Sequence, residues 1–129
     1  MGASLLKKIE LESGLELQIF DVSRRLAGDR WYVGFAAQVE IPMAFLANRA
    51  DSAEIDIEKM KAALGETVRF EQKRERHYID EKEKDSVLES LMRNFLDSTL
   101  QYLSAKDFAK KYALKVYKKE IEKASWYKT

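Results

Sequence analysis

The chain of 129 residues has no cysteine, a single proline, a single histidine and no run of 18 apolar residues. Without cysteine there is no disulfide framework, no thiol nucleophile and no cysteine-ligated zinc or iron–sulfur centre, a composition that suits a reducing compartment. Without a long apolar run, no membrane-spanning helix is expected. Near the start, Leu5 and Leu6 are followed at once by Lys7 and Lys8, so no signal-peptide core forms and a cytoplasmic protein is expected. The five glycines, Gly2, Gly14, Gly28, Gly34 and Gly65, compose neither G-x-G-x-x-G nor a Walker loop, which argues against dinucleotide and nucleotide chemistry.

Catalytic sets are just as scarce. His77 stands alone, outside H-E-x-x-H or H-x-x-E-H spacing, so a metal site would have to be completed by carboxylates. There is no G-x-S-x-G elbow, and any serine triad would have to recruit His77. The carboxylates Asp80, Glu81, Glu83 and Asp85 alternate with Lys82 and Lys84, which suits the first turn of a helix better than a hard-cation cage. No catalytic residue, cofactor or metal ligand is therefore expected, and a binding role is preferred to an enzymatic one. The enzymatic or small-molecule alternative would need Tyr32, Gln38 and His77 to meet in one cleft between sheet and helices.

What is present is 46% apolar and 35% charged residues, enough for a single globular domain over 1–129 with an unaided core. Its expected parts are a sheet-rich region 1–79, a helical region 80–124 and a short tail 125–129. The apolar positions Leu5, Ile9 and Leu11 alternate as in a strand, and Ser13-Gly14 supplies a turn. Leu15, Leu17 and Ile19 continue the alternation until Phe20 and Val22 shift its phase, which predicts a bulge near Ile19-Phe20. A hairpin centred on Gly28 leads into the clearest strand, where Trp31, Val33, Phe35, Ala37, Val39 and Ile41 alternate with smaller or polar residues until Pro42. Residues 43–50 read as either a short helix or an apolar loop. Asp51 with Glu54 resembles a capping box for a helix closed by Gly65, and the charged stretch 66–79 reads as an edge strand.

Helical periodicity then takes over. Ser86-Val-Leu-Glu89 is the preferred cap, ahead of Asp80, and Val87, Leu88, Leu91, Met92, Phe95, Leu96, Leu100 and Leu103 cover about half of the helix circumference. So wide an arc calls for more than one partner, and Leu91, Phe95, Leu96 and Leu103 are candidates for a homodimer interface. A break at Ser104 precedes a last helix. The expected architecture is α+β, an antiparallel sheet of about four strands in the order β-β-β-α-β-α-α with the helices packed on one face.

Asp21-Val-Ser23-Arg24-Arg25 with Gly28 resembles the D-x-S-x-x-G element of PilZ domains, which bind a cyclic dinucleotide. Here Gly28 follows Ser23 by five residues instead of three and no arginine pair lies upstream, so that function is not carried over. A near-neutral total of 23 basic and 22 acidic residues hides a gradient: residues 1–65 sum to −2, 66–103 to −2 and 104–129 to +5. Lys111, Lys115, Lys118 and Lys119 on the last helix form a candidate basic surface for an acidic protein or nucleic acid, with Tyr112, Tyr117, Trp126 and Tyr127 nearby. The functional expectation is an interaction or accessory module that self-associates through its apolar helix, with acidic-partner or nucleic-acid binding as the alternative. Phe35→Asp puts a charge in the centre of the expected core and should abolish cooperative unfolding, which a thermal melt followed by circular dichroism checks.

Overall fold

A computed structural model describes residues 4–47 and 56–127. The chain is α+β, with strands β1 (Ser4–Glu10), β2 (Glu16–Asp21), β3 (Arg24–Ala27), β4 (Arg30–Pro42) and β5 (Thr67–Asp80) in one antiparallel sheet. Helices α1 (Met43–Ala47), α2 (Ile57–Leu64), α3 (Lys84–Ser104) and α4 (Phe108–Tyr127) complete it. The strand β4 is the axis. It pairs with β2 and β3 along one edge and with β5 along the other, while β1 pairs with β2. The alternation seen in the sequence is realised from Val33 onward: Val33, Phe35, Ala37, Val39 and Ile41 have no exposed surface, whereas Trp31 is half-buried.

The helices cover that face alone. Phe95 and Leu103 of α3, Phe108, Ala109 and Ala113 of α4, Met43 and Leu46 of α1 and Met60 of α2 join Leu17, Ile19, Val68 and Phe70 in one buried cluster. Phe35 meets Phe95 edge-on with ring centroids 5.4 Å apart, and Phe70 meets Phe108 edge-on at 5.6 Å, the geometry that aromatic quadrupoles favour. The opposite face is open, and its cross-strand partners are polar. Arg69 Nη2 donates to Glu40 Oε1 at 2.9 Å and Gln38 Nε2 donates to Glu71 Oε2 at 2.6 Å.

Where the phase shift predicted a bulge at Ile19-Phe20, the structure instead interrupts the strand at Val22-Ser23. Val22 N donates to Gly34 O at 3.0 Å, and Ser23 Oγ accepts from Gly34 N at 3.1 Å, so a side chain intercepts one rung of the ladder. Pairing keeps its register across the break, with Asp21 opposite Phe35 and Arg24 opposite Tyr32. The five strands are thus four ribbons, β2 and β3 forming one broken arm, which is why about four strands were legible. The residues resembling a ligand motif are spent here, since Asp21 Oδ1 accepts from Ser23 N at 2.8 Å. A real bulge lies between Leu5 and Lys7 and moves Leu5 off the face shared by Ile9 and Leu11, leaving it 46% exposed.

Several boundaries differ from expectation. Asp80 caps the helical region, its Oδ1 accepting from Lys82 N at 2.9 Å, and a 3-10 turn at Glu81–Glu83 leads into α3. Ser86 is not the cap: its Oγ donates back to Glu83 O at 3.0 Å, one turn inside the helical stretch. The Asp51–Glu54 box lies outside the described residues, and α2 is capped by Asp56, whose Oδ1 accepts from Lys59 N at 3.2 Å. Gly65 closes α2 as expected, at φ 90° with its N–H on Lys61 O. Residues 43–47 are helical, and α4 runs to Tyr127, beyond the expected end at 124.

The hairpin at Gly28 forms with φ 55°. Gly34 has a different reason to be glycine, because a Cβ there would lie 2.9 Å from Arg74 O and 3.1 Å from Glu75 Cβ. Gly34→Ala should cost about 1–3 kcal/mol through forced separation of β4 from β5, read as a lowered denaturation midpoint with an unchanged slope.

Candidate functional site

The four lysines singled out in the sequence do come together. Lys111, Lys115, Lys118 and Lys119 of α4 surround Leu114, with Glu122 at one end, around a shallow depression of about 500 Å³. Positions 111, 115, 118 and 122 follow one helical face, so side chains on neighbouring turns overlap in projection. Over Phe108–Ser125 the packed residues of the helix lie in its first half. Phe108, Ala109 and Ala113 are buried, Tyr112, Leu114, Val116 and Tyr117 are half-buried, and every residue from Lys118 to Ser125 is exposed. Ile121, on the same stretch, is 49% exposed.

The lysines are not equivalent. Lys111 Nζ lies 2.8 Å from Asp107 Oδ2, and this hydrogen bond lowers the Asp107 carboxyl below its usual range and raises the Lys111 ammonium above its own. Among the described residues Lys115, Lys118 and Lys119 make no ion pair, so the uncompensated charge sits on the projecting half of α4.

The four apolar interface candidates divide differently. Phe95 and Leu103 are fully buried in the chain's own core, and Leu91 and Leu96 are half-buried against it. The wide apolar arc of α3 is thus largely satisfied by the sheet. Leu91 and Val87 contribute to a groove of about 240 Å³ with Arg76, Ser86, Ser90 and Asn94.

Near the start of β4, Trp31 and Val33 lie opposite Ile79 and Arg76 of β5, so two residues of β5, His77 and Tyr78, oppose the single Tyr32. This bulge holds Tyr78 at φ 57°, uncommon for a residue with a Cβ, and leaves it 75% exposed. The His77 and Tyr32 rings lie 5.2 Å apart, Arg24 sits 5.2 Å above Tyr32, and the Tyr32 hydroxyl donates to Glu75. Gln38, six residues along the strand and so about 20 Å away, bonds Glu71 instead. Tyr32, Gln38 and His77 therefore do not converge.

Three carboxylates of the acidic run are likewise engaged. Asp80 caps and lies 3.6 Å from Arg30, Glu81 accepts from Arg25 at 3.2 Å and from Trp31 Nε1 at 3.3 Å, and Asp85 pairs with Lys84. Arg25 and Lys84 both lie over the Trp31 ring, at 5.8 and 4.9 Å. Among the described residues no group of three potential metal ligands forms, and no helix is long and apolar enough to cross a membrane. Sequence reasoning missed the Trp31 and Tyr32 clusters because both depend on which residues β5 sets beside β4, and a bulge leaves no compositional mark.

The fold is thus that of an α+β protein with a one-sided sheet and a projecting basic helix. Comparison with family models, with curated proteins and with solved structures finds no match to the chain.

The Tyr32 phenol is pushed above its ordinary range, first by its hydrogen bond to Glu75, then by desolvation and by the Glu75 charge. Since the protonated form is the one favoured by folding, its contribution to stability is complete below the ordinary tyrosine range and is lost as pH rises through the raised folded value. Burial, and after it the Tyr102 charge, also raises the Tyr112 phenol, so an ultraviolet titration should show two late-ionising phenols, one of which is lost in Tyr32→Phe and titrates earlier in Glu75→Gln.

Proposed function

We propose that the protein is a non-enzymatic interaction module that docks the projecting half of α4 on an acidic protein surface. One observation carries the reading: from Lys118 to Ser125 the helix has no buried residue, while α4 as a whole carries six lysines against two glutamates. A helix without tertiary packing is only marginally stable, so a partner that covers it gains both burial and order. The surface is mixed. Leu114 floors the lysine cluster and Ile121 stands half-exposed near it, offering apolar contact inside a basic rim. That combination suits an acidic amphipathic segment better than a phosphate backbone, which would leave the apolar groups unused.

Self-association through α3 has less support, because Phe95 and Leu103 have no surface left to offer. The remaining lysines steer encounter and Leu114 with Ile121 supply contact, a division in which charge sets the association rate and apolar burial slows release.

Fluorescence anisotropy with a labelled peptide of alternating Glu and Leu, and in parallel with a single-stranded oligonucleotide, tests this. The peptide should bind with an affinity that falls with salt, and replacing Lys115, Lys118 and Lys119 together by Gln should weaken it about tenfold or more. Ile121→Ser should weaken the peptide alone. Tighter binding of the oligonucleotide than of the peptide, or indifference of the peptide to both variants, would overturn the reading.

A further inference from the structure

We infer that the outer edge of β5 is a self-complementary interface, through which two copies of the chain join into one continuous antiparallel sheet. Among the described residues β5 pairs only with β4, so its other edge carries no strand. Two hydrogen bonds tell which peptide groups face that edge. Gly34 directs its N–H to Ser23 Oγ, and its C=O accepts from Val22 N, on the β2–β3 side of β4. It cannot then exchange bonds with Glu75, which lies opposite it on β5, so the peptide groups of Glu75 point away from β4. By two-residue alternation the same holds for Lys73, Glu71 and Arg69. Two side chains agree with this: Tyr112 Oη donates to Arg69 O at 3.4 Å and Arg74 Nη1 donates to Lys73 O at 3.1 Å, both standing in for an absent neighbouring strand.

Charge decides the partner and the register. A two-fold antiparallel pair of identical strands must match outward-facing residues with outward-facing residues, which restricts the centre to a residue of the strand itself. Centred on Gln72, the register sets Arg69 opposite Glu75 of the second copy and Glu71 opposite its Lys73, and symmetry repeats both pairs. Moving the centre by one residue sets Glu71 against Glu71 or Lys73 against Lys73. Moving it by two leaves a single kind of Lys/Arg–Glu pair, Arg69 with Glu71 or Lys73 with Glu75. Directly opposed unlike charges stabilise a strand pair and like charges penalise it, so the pattern attracts a second copy and favours the Gln72 centre, which has most such pairs.

The side chains of these four residues share the open face, where Arg69 already bonds Glu40, Glu71 accepts from Gln38 and Glu75 accepts from Tyr32. Pairing therefore extends rows that exist within one copy, running Glu40, Arg69, then Glu75 and Tyr32 of the second. Charged edge residues ordinarily keep sheets apart. Here their order makes the Gln72-centred contact the one with most opposed unlike pairs and makes the one-residue shifts repulsive. The bulge at His77-Tyr78 ends the regular edge just beyond Glu75 and so limits the paired segment.

Sedimentation velocity from about 1 to about 300 μM, with amide hydrogen exchange at both ends of that range, tests the interface. The expected result is a monomer–dimer equilibrium in which the amides of Arg69, Glu71, Lys73 and Glu75 gain protection as concentration rises. Glu71→Lys or Lys73→Glu alone turns two attractive pairs repulsive and should raise the dissociation constant about tenfold, while the double exchange should return it to within about threefold of the original. Both positions are exposed, so the melting of a dilute sample should stay unchanged. A monomer throughout the range, or a dimer that ignores the single exchanges, would overturn the inference. The triple Lys-to-Gln variant of α4 should dimerise normally, which separates this interface from the docking helix.

Discussion

Everything in this molecule hangs on burying one face of β4. Five alternate side chains from Val33 to Ile41 lose all contact with water, and at about 1.5–3 kcal/mol for each larger apolar group this row is the largest local source of stability that the strands possess. A strand buries such a row only if it holds its register and if something apolar covers it. The first demand is met by pairing along both edges. The second is met by Phe95, Leu103, Phe108 and Met60, drawn from three helices that follow β4 in the chain.

One-sided burial explains why the rest of the sheet looks as it does. With the helices all on one side, the other face must be satisfied by water and by its own polar neighbours, and Glu40–Arg69 and Gln38–Glu71 do this across strands. The small residues Gly34 and Ala36 lie on that open side, and Gly34 lets β5 approach to a distance that a methyl group would prevent. The irregularities also have roles. Ser23 replaces a rung with its hydroxyl where the β2–β3 arm breaks, and the bulge at His77-Tyr78 gathers Tyr32, Arg24 and Glu75 at one end of the open face.

The two surfaces left incompletely satisfied are of different kinds. The outer half of α4 has formed its own backbone hydrogen bonds and lacks only a cover for its side chains. The outer edge of β5 has its charged side chains in water and no neighbouring strand among the described residues, two of its carbonyls being met by side chains alone. A partner for α4 gains apolar area inside a basic rim, whereas a partner for β5 gains a hydrogen-bonded ladder whose register charge selects. The two sites are therefore complementary in chemistry, and neither needs residues of the other.

Periodicity by itself determined the class, the central strand, the core face of β4, the helix caps at Gly65 and the break near Ser104, because each of these is a local consequence of where apolar groups recur or where φ must be positive. It also placed four lysines on one helix. Local signals were weaker where two elements compete for the same residue: Ser86 matched a capping pattern, but Asp80 stands where β5 ends and so took the role. Only the tertiary structure decided which apolar side chains of α3 remained for a partner, since exposure depends on what the sheet covers. Likewise it alone decided that Lys111 is neutralised by Asp107 while Lys115, Lys118 and Lys119 are not. The reason is the same in each case: a sequence pattern specifies which face of an element a residue occupies, and only packing specifies what that face meets.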